Sequence, residues 1–83
     1  MSTMKKLLNR IEINPKIMVG KPVIRGTRIP VYIILNLLSQ GASETEILED
    51  YPDLKKDDIK AALALAASRF EREESYLYGP PSS

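Results

Sequence analysis

"PVYIILNLLSQGASETEILEDYPDLKKDDIKAALALAASRF", Pro30 to Phe70, decides the fold of this chain. It opens with a proline suited to a first helical position, and its first run closes on Gly41, the residue most favoured just past a helix end. Only Asn36 interrupts the apolar residues from Val31 to Leu38, so this helix has to be covered on more than one side. Its β-branched start makes a strand over Val31 to Ile34 the alternative. "SETE" follows. Here the Ser43 hydroxyl and the Glu46 carboxylate can satisfy each other's free backbone N–H groups, a capping box that opens a second helix. That helix runs from Ser43 to about Tyr51, buries Ile47, Leu48 and Tyr51, and is stopped by Pro52.

The third helix has the clearest period. Ile59, Ala62, Leu63, Ala66, Ala67 and Phe70 recur at helical spacing and predict the buried stripe. Asp57 and Asp58 favour a helix start through the dipole, with Asp53 as the only cap residue in reach. A helix from Lys55 to Tyr78 would be about 36 Å long, enough to project from the domain or pack on another chain. The second helix, the "PDLK" connection and the third helix have the proportions of a helix-turn-helix, with the first helix as support. Three short helices are also a common scaffold without DNA activity.

Upstream of Pro30 the chain changes character. "RIEIN" alternates Ile11 and Ile13 with polar residues, the period of a half-buried strand. Asn14-Pro15, Gly20-Lys21-Pro22 and Arg25-Gly26-Thr27 are turn candidates, with "VI" and "RI" extended between them. Pro22 and Pro30 cannot donate to a ladder, so the strands must be short or at an edge. The reading is a mainly α protein, a trihelical helix-turn-helix core with a short N-terminal β-arm. One domain divides into a basic β-arm (1–30), the core (31–70) and a helix extension with a tail (71–83).

Charge follows the same division. Residues 1–30 hold seven basic side chains and one acid, a balance of +6; residues 31–83 hold five basic and ten acidic, a balance of −5; together they give the net +1. A basic arm on an acidic body suggests a polyanionic partner, against the alternative of lysines that merely solvate a surface. A chain of 83 residues forms a marginal core, which a second subunit would reinforce. With no cysteine and no histidine there is no disulfide, no thiol nucleophile, no imidazole base and no Cys/His zinc site. The apolar runs are too short for a membrane span and "MSTMKKLLNR" lacks a signal-peptide core, so the expectation is a soluble cytoplasmic protein without membrane contact.

Catalytic motifs do not assemble. "VGKP" evokes a phosphate loop, but that motif needs glycine where Pro15 stands and Ser or Thr where Pro22 stands. Glu49-Asp50 and Asp57-Asp58 are adjacent on helices and point in different directions. Carboxylates at helix ends ordinarily serve the dipole or solvent, with a magnesium site or an acid/base pair as the alternative. No enzyme activity, cofactor or metal is expected.

Two readings of "VGKPVIRGTRIPV", Val19 to Val31, remain open at this point. In one, glycines 20 and 26 let the backbone turn tightly while Arg25 and Arg28 face outward for phosphate oxygens. In the other, Val23, Ile24, Ile29 and Val31 pack the arm on the helices and the arginines pair with acids of the body. "AALALAA", with Leu65 off the main stripe, and the all-apolar first helix predict a homodimer. Phe70, Tyr76, Leu77 and Tyr78 are candidate anchors for a protein partner, against the alternative of a frayed terminus.

From Ile13 to Ala67 the chain resembles the small prokaryotic family catalogued as domain of unknown function 433. The resemblance rests on "GKPVIRGTRIPV", the "GAS" turn and "YPDL", in that order. It implies a homeodomain-like helix-turn-helix and an antitoxin role beside a toxin similar to PIN-domain nucleases. One departure stands out: similar sequences place a Ser or Thr cap before the last helix, where this chain has Lys55-Lys56 and then Asp57-Asp58. Two aspartates at the groove-facing end of a recognition helix would repel phosphates, so the arm should supply most of the affinity. The expected function is therefore a type II antitoxin that neutralises a PIN-like nuclease and binds promoter DNA as a dimer. The expected DNA contacts are Lys21, Arg25, Thr27, Arg28, Lys56 and Lys60. The alternative is a dimeric interaction module of the same fold without DNA binding.

Overall fold

In the computed structural model the described residues are 2–77. Four α-helices dominate: α1 (Ser2–Leu8), α2 (Val31–Ser39), α3 (Glu44–Asp50) and α4 (Lys56–Leu77). Between α1 and α2 lie two short strands, β1 (Ile11–Glu12) and β2 (Val23–Ile24), paired antiparallel with Ile11 opposite Ile24 and Glu12 opposite Val23. A single bridge joins Val23 to Pro30. The fold is mainly α with a short β-arm, as the sequence predicts.

The core helices end where their local chemistry directs. Pro30, extended at φ −69° and ψ 145°, precedes α2. At its other end Gly41 takes φ +94°, and the N–H groups of Gly41 and Ala42 reach the carbonyls of Leu38 and Leu37, a Schellman closure. The capping box of α3 is complete. The Glu46 N–H donates to Ser43 Oγ at 3.1 Å, and the Ser43 N–H donates to Glu46 Oε1 at 2.8 Å. Donation from the Ser43 N–H, and after it the Ser43 hydroxyl, holds the exposed Glu46 carboxyl below its ordinary pKa.

Helices α2, α3 and α4 pack on one another around Ile34, Ile47, Leu54 and Ile59, and the arm adds Ile11, Val23 and Ile24. Three expectations are corrected here. The first concerns residues 1–30, which begin with a helix as well as holding the β-arm; α1 packs on α4 and sets Leu7 and Leu8 against the core. The second is the stripe on α4. Ile59 and Ala62 are buried as expected, but Leu63 (47%), Phe70 (66%) and Ala67 are exposed, while Ala61 and Ala64 are buried instead. Helices α1, α2 and α3 all pack on α4, so its buried face is wider than one stripe and takes in both alanines. The third is Ile13, which is exposed because β1 ends at Glu12 and the alternation stops there.

Leu65, set off the expected stripe, packs against the core, so the argument that it needs a second subunit no longer holds. Among the described residues the large apolar side chains left exposed on α2 and α4 are Tyr32, Leu63 and Phe70. No helix among the described residues is long and apolar enough to cross a membrane.

Candidate nucleic-acid interface

The hairpin that follows β2 is built on Gly26. The Thr27 N–H reaches the Ile24 carbonyl at 3.0 Å, and Gly26 takes φ +84°, the signature of a type II turn with glycine at its third position. A Cβ added at Gly26 would meet nothing within 4 Å, so glycine is required there by φ and not by space. The Thr27 hydroxyl donates to the Ile24 carbonyl at 2.8 Å and accepts from the Ile29 N–H at 3.0 Å. That hydroxyl is a structural staple inside the turn.

Arg25 is oriented by backbone alone. Its Nε–H donates to the Asn9 carbonyl at 2.9 Å and its Nη2 to the Ile11 carbonyl at 3.2 Å. Its own N–H donates to the Arg10 carbonyl at 2.8 Å. Among the described residues no carboxylate pairs with Arg25 or Arg28.

Asp58 is the buried acid, with 6% of its side chain exposed. Its Oδ1 accepts from Arg10 Nε at 2.8 Å, and its Oδ2 accepts from the Lys55 N–H at 2.8 Å. The second bond is the acidic half of a capping box at the start of α4, with lysine standing where Ser or Thr would complete it. Asp53 does not act as the cap. The expectation that both Asp57 and Asp58 face a phosphate is thereby corrected: Asp58 is turned inward and neutralised by Arg10, and Asp57 alone is exposed.

These bonds bring three segments around one groove of ≈ 580 Å³, lined by Lys6 and Asn9 of α1 and its end, Arg10, the Arg25-Gly26-Thr27 turn, and Asp53, Lys55 and Asp58. A second hollow shares Gly26, Thr27 and Asp53 with it and carries Arg28. Four basic side chains therefore meet two carboxylates in the groove, one of them already paired, and a fifth cation stands beside it.

The residues singled out from the sequence divide three ways. Arg25 and Thr27 line the groove and Arg28 its neighbour. Lys56 and Lys60 are exposed on α4 but lie two positions either side of Asp58, about 160° around the helix from it, in line with Leu63 and Ala67. Lys21 stands elsewhere, with its Nζ 5.3 Å from the Tyr32 ring centroid, at the mouth of an apolar hollow of ≈ 300 Å³ between α2 and α4. Sequence reasoning missed Lys6, Asn9, Arg10 and Lys55. Of the candidate partner anchors, Phe70 is exposed beside Leu35, Ala66 and Arg69. The side chains of Tyr76 and Leu77, and Tyr78 entirely, lie outside the described residues. Among the described residues no cluster of three or more His, Cys, Asp or Glu side chains is placed to hold a metal ion.

Comparison with known proteins agrees with the resemblance drawn from the motifs. A crystal structure of a DUF433 member protein from Anabaena variabilis ATCC 29413 superposes with a TM-score of 0.71 at 33% identity, over 90% of this chain and 74% of that one. An uncharacterized Sinorhizobium fredii protein, y4eO, is 35% identical over 66 residues, which are 80% of this chain but 30% of that protein's length. The family model described as "Protein of unknown function (DUF433)" matches residues 11–66, which span β1 to the middle of α4. The chain belongs to the DUF433 family.

Proposed function

We propose that the protein is a non-catalytic antitoxin of a type II toxin–antitoxin pair, a dimer that binds DNA at its own promoter and neutralises a PIN-like nuclease by direct contact. The observation that carries the DNA half is the gathering of Lys6, Arg10, Arg25, Arg28 and Lys55 where the arm turn meets the start of α4. The Arg25 fork, oriented by the Asn9 and Ile11 carbonyls and not by an acid, suits phosphate oxygens. The α3–α4 pair supplies a helix start beside them, and inward-turned Asp58 removes one source of repulsion. The protein-contact half is supported by Tyr32, Leu63 and Phe70, large apolar side chains left exposed on α2 and α4. That same surface favours the second reading, a dimeric interaction module without DNA activity.

Two experiments test the two halves. Fluorescence anisotropy with a duplex from upstream of the gene should show binding that weakens steeply with salt; no binding at low salt would leave the interaction module. Co-expression with the nuclease encoded beside it should restore growth, and continued toxicity would count against neutralisation.

A further inference from the structure

We infer that the groove between α1, the Arg25–Thr27 turn and the start of α4 is a clamp for a single phosphate group, with Lys6 and Lys55 as its mobile cations and Arg10 and Arg25 as its fixed ones. The inference rests on the DNA reading above and deepens it, by naming the group that the groove takes and residues beyond those that the turn motif marks.

An arginine has five N–H donors. Arg10 commits its Nε to Asp58, and Arg25 commits its Nε and one Nη2 donor to the Asn9 and Ile11 carbonyls. Both guanidiniums are thus held in place while their remaining N–H groups stay unassigned among the described residues. A fork whose orientation is already set loses little freedom on meeting an anion, which is what makes a fixed site bind more tightly than loose surface charge.

The carboxylates explain the sign of the site. Asp58 has both oxygens occupied, by Arg10 and by the Lys55 N–H, so it acts as a strut that aims Arg10. Asp53 is the one exposed carboxylate in the lining. The four cations exceed the two acids, and the first turn of α4 adds the positive end of its dipole. A phosphate fits this balance, whereas a cation would meet Lys6 and Lys55 first. The source of the phosphate, a nucleic-acid backbone or a free anion, separates by experiment.

Titrate the whole protein with pyrophosphate and, separately, with the promoter duplex, following amide shifts of Gly26 and Lys55 by NMR and affinity by calorimetry. The clamp predicts pyrophosphate shifts centred on those two amides. Lys6→Ala/Lys55→Ala should weaken binding about tenfold, since two charge-assisted contacts are lost at an exposed site. Asp53→Asn should strengthen it about threefold by removing a like charge. All three residues are exposed, and an unchanged melting curve shows that the variants fold. Pyrophosphate binding that the double variant leaves intact overturns the clamp. So does a duplex that binds wild type and the double variant equally, and in that case the DNA reading survives. Pyrophosphate binding with the predicted variant effects, in a protein that ignores the duplex, supports the clamp and removes the promoter reading.

Discussion

Arg10 Nε lies 2.8 Å from Asp58 Oδ1, joining residues 48 apart in sequence and fastening the end of α1 to the first turn of α4. The carboxylate is buried while the guanidinium is about a third exposed, so the two partners are unequal. Removing the arginine strands a buried charge; removing the acid frees a half-solvated cation and leaves the Lys55 N–H without its acceptor.

Arg10→Met should therefore destabilise the protein by about 2–3 kcal/mol, less than the ~3–5 kcal/mol of a fully buried pair, because solvent screens the arginine. Arg10→Met/Asp58→Leu should recover part of that loss, since it leaves no uncompensated carboxylate. Urea unfolding measures both. A single variant as stable as wild type would show that the pair contributes nothing.

Val19 has φ +54°, a left-handed conformation that a β-branched side chain adopts only under strain, and it is 92% exposed. Val19→Asn should raise stability by roughly 1 kcal/mol, since asparagine tolerates this region and no buried contact is lost. A lower urea midpoint for Val19→Asn would mean that the valine is held there by packing.

The capping box gives a pH dependence of known sign. Glu46 titrates below its ordinary value of 4.5 in the folded protein, so its contribution is present above that pH and fades as the pH falls through the folded value. Glutamine at 46 can keep the bond to the Ser43 N–H without titrating. Thermal melts between neutral and acid pH should show Glu46→Gln losing less stability than wild type; parallel curves would contradict this. Ser43→Ala should cost about 1 kcal/mol at neutral pH.

If the exposed apolar surface of α2 and α4 joins two copies, light scattering should report a dimer, and Leu63→Asp/Phe70→Asp should report a monomer with an unchanged helical spectrum. A wild-type monomer at tens of micromolar would end the dimer reading.

How much of this was legible follows from the range of each signal. Helices α2 and α3 rest on neighbours in sequence, Pro30 and Gly41 at the ends of one and the Ser43–Glu46 box at the start of the other, and local chemistry can be read locally. Helix α1 has seven residues and no acid in its first turn, and its packing on α4 decides it. The α4 stripe went astray for the same reason: α1, α2 and α3 all pack on α4, so its buried face takes in Ala61 and Ala64, which look neutral in sequence. The turn at Gly26 was legible, and it sets Arg25 and Thr27 in the groove and Arg28 in the hollow beside it. Nothing in the sequence joins Arg10 to Asp58, and without that pair the groove, Lys6 and Lys55 do not come into view. The half capping box at Lys55 and Asp58 was the available clue, obscured by the absence of Ser or Thr.

DNA binding by the arm is best tested by the salt dependence of affinity for the promoter duplex, in wild type and in Arg28→Ala. Arg28 is the better choice than Arg25, whose side chain also holds the Asn9 and Ile11 carbonyls. Wild type should show a steep log–log slope, with Arg28→Ala weaker at low salt and its slope shallower by about 1, the loss of one phosphate contact. A wild-type protein that binds with no salt dependence, or an Arg28→Ala variant with the same affinity and slope, would contradict it.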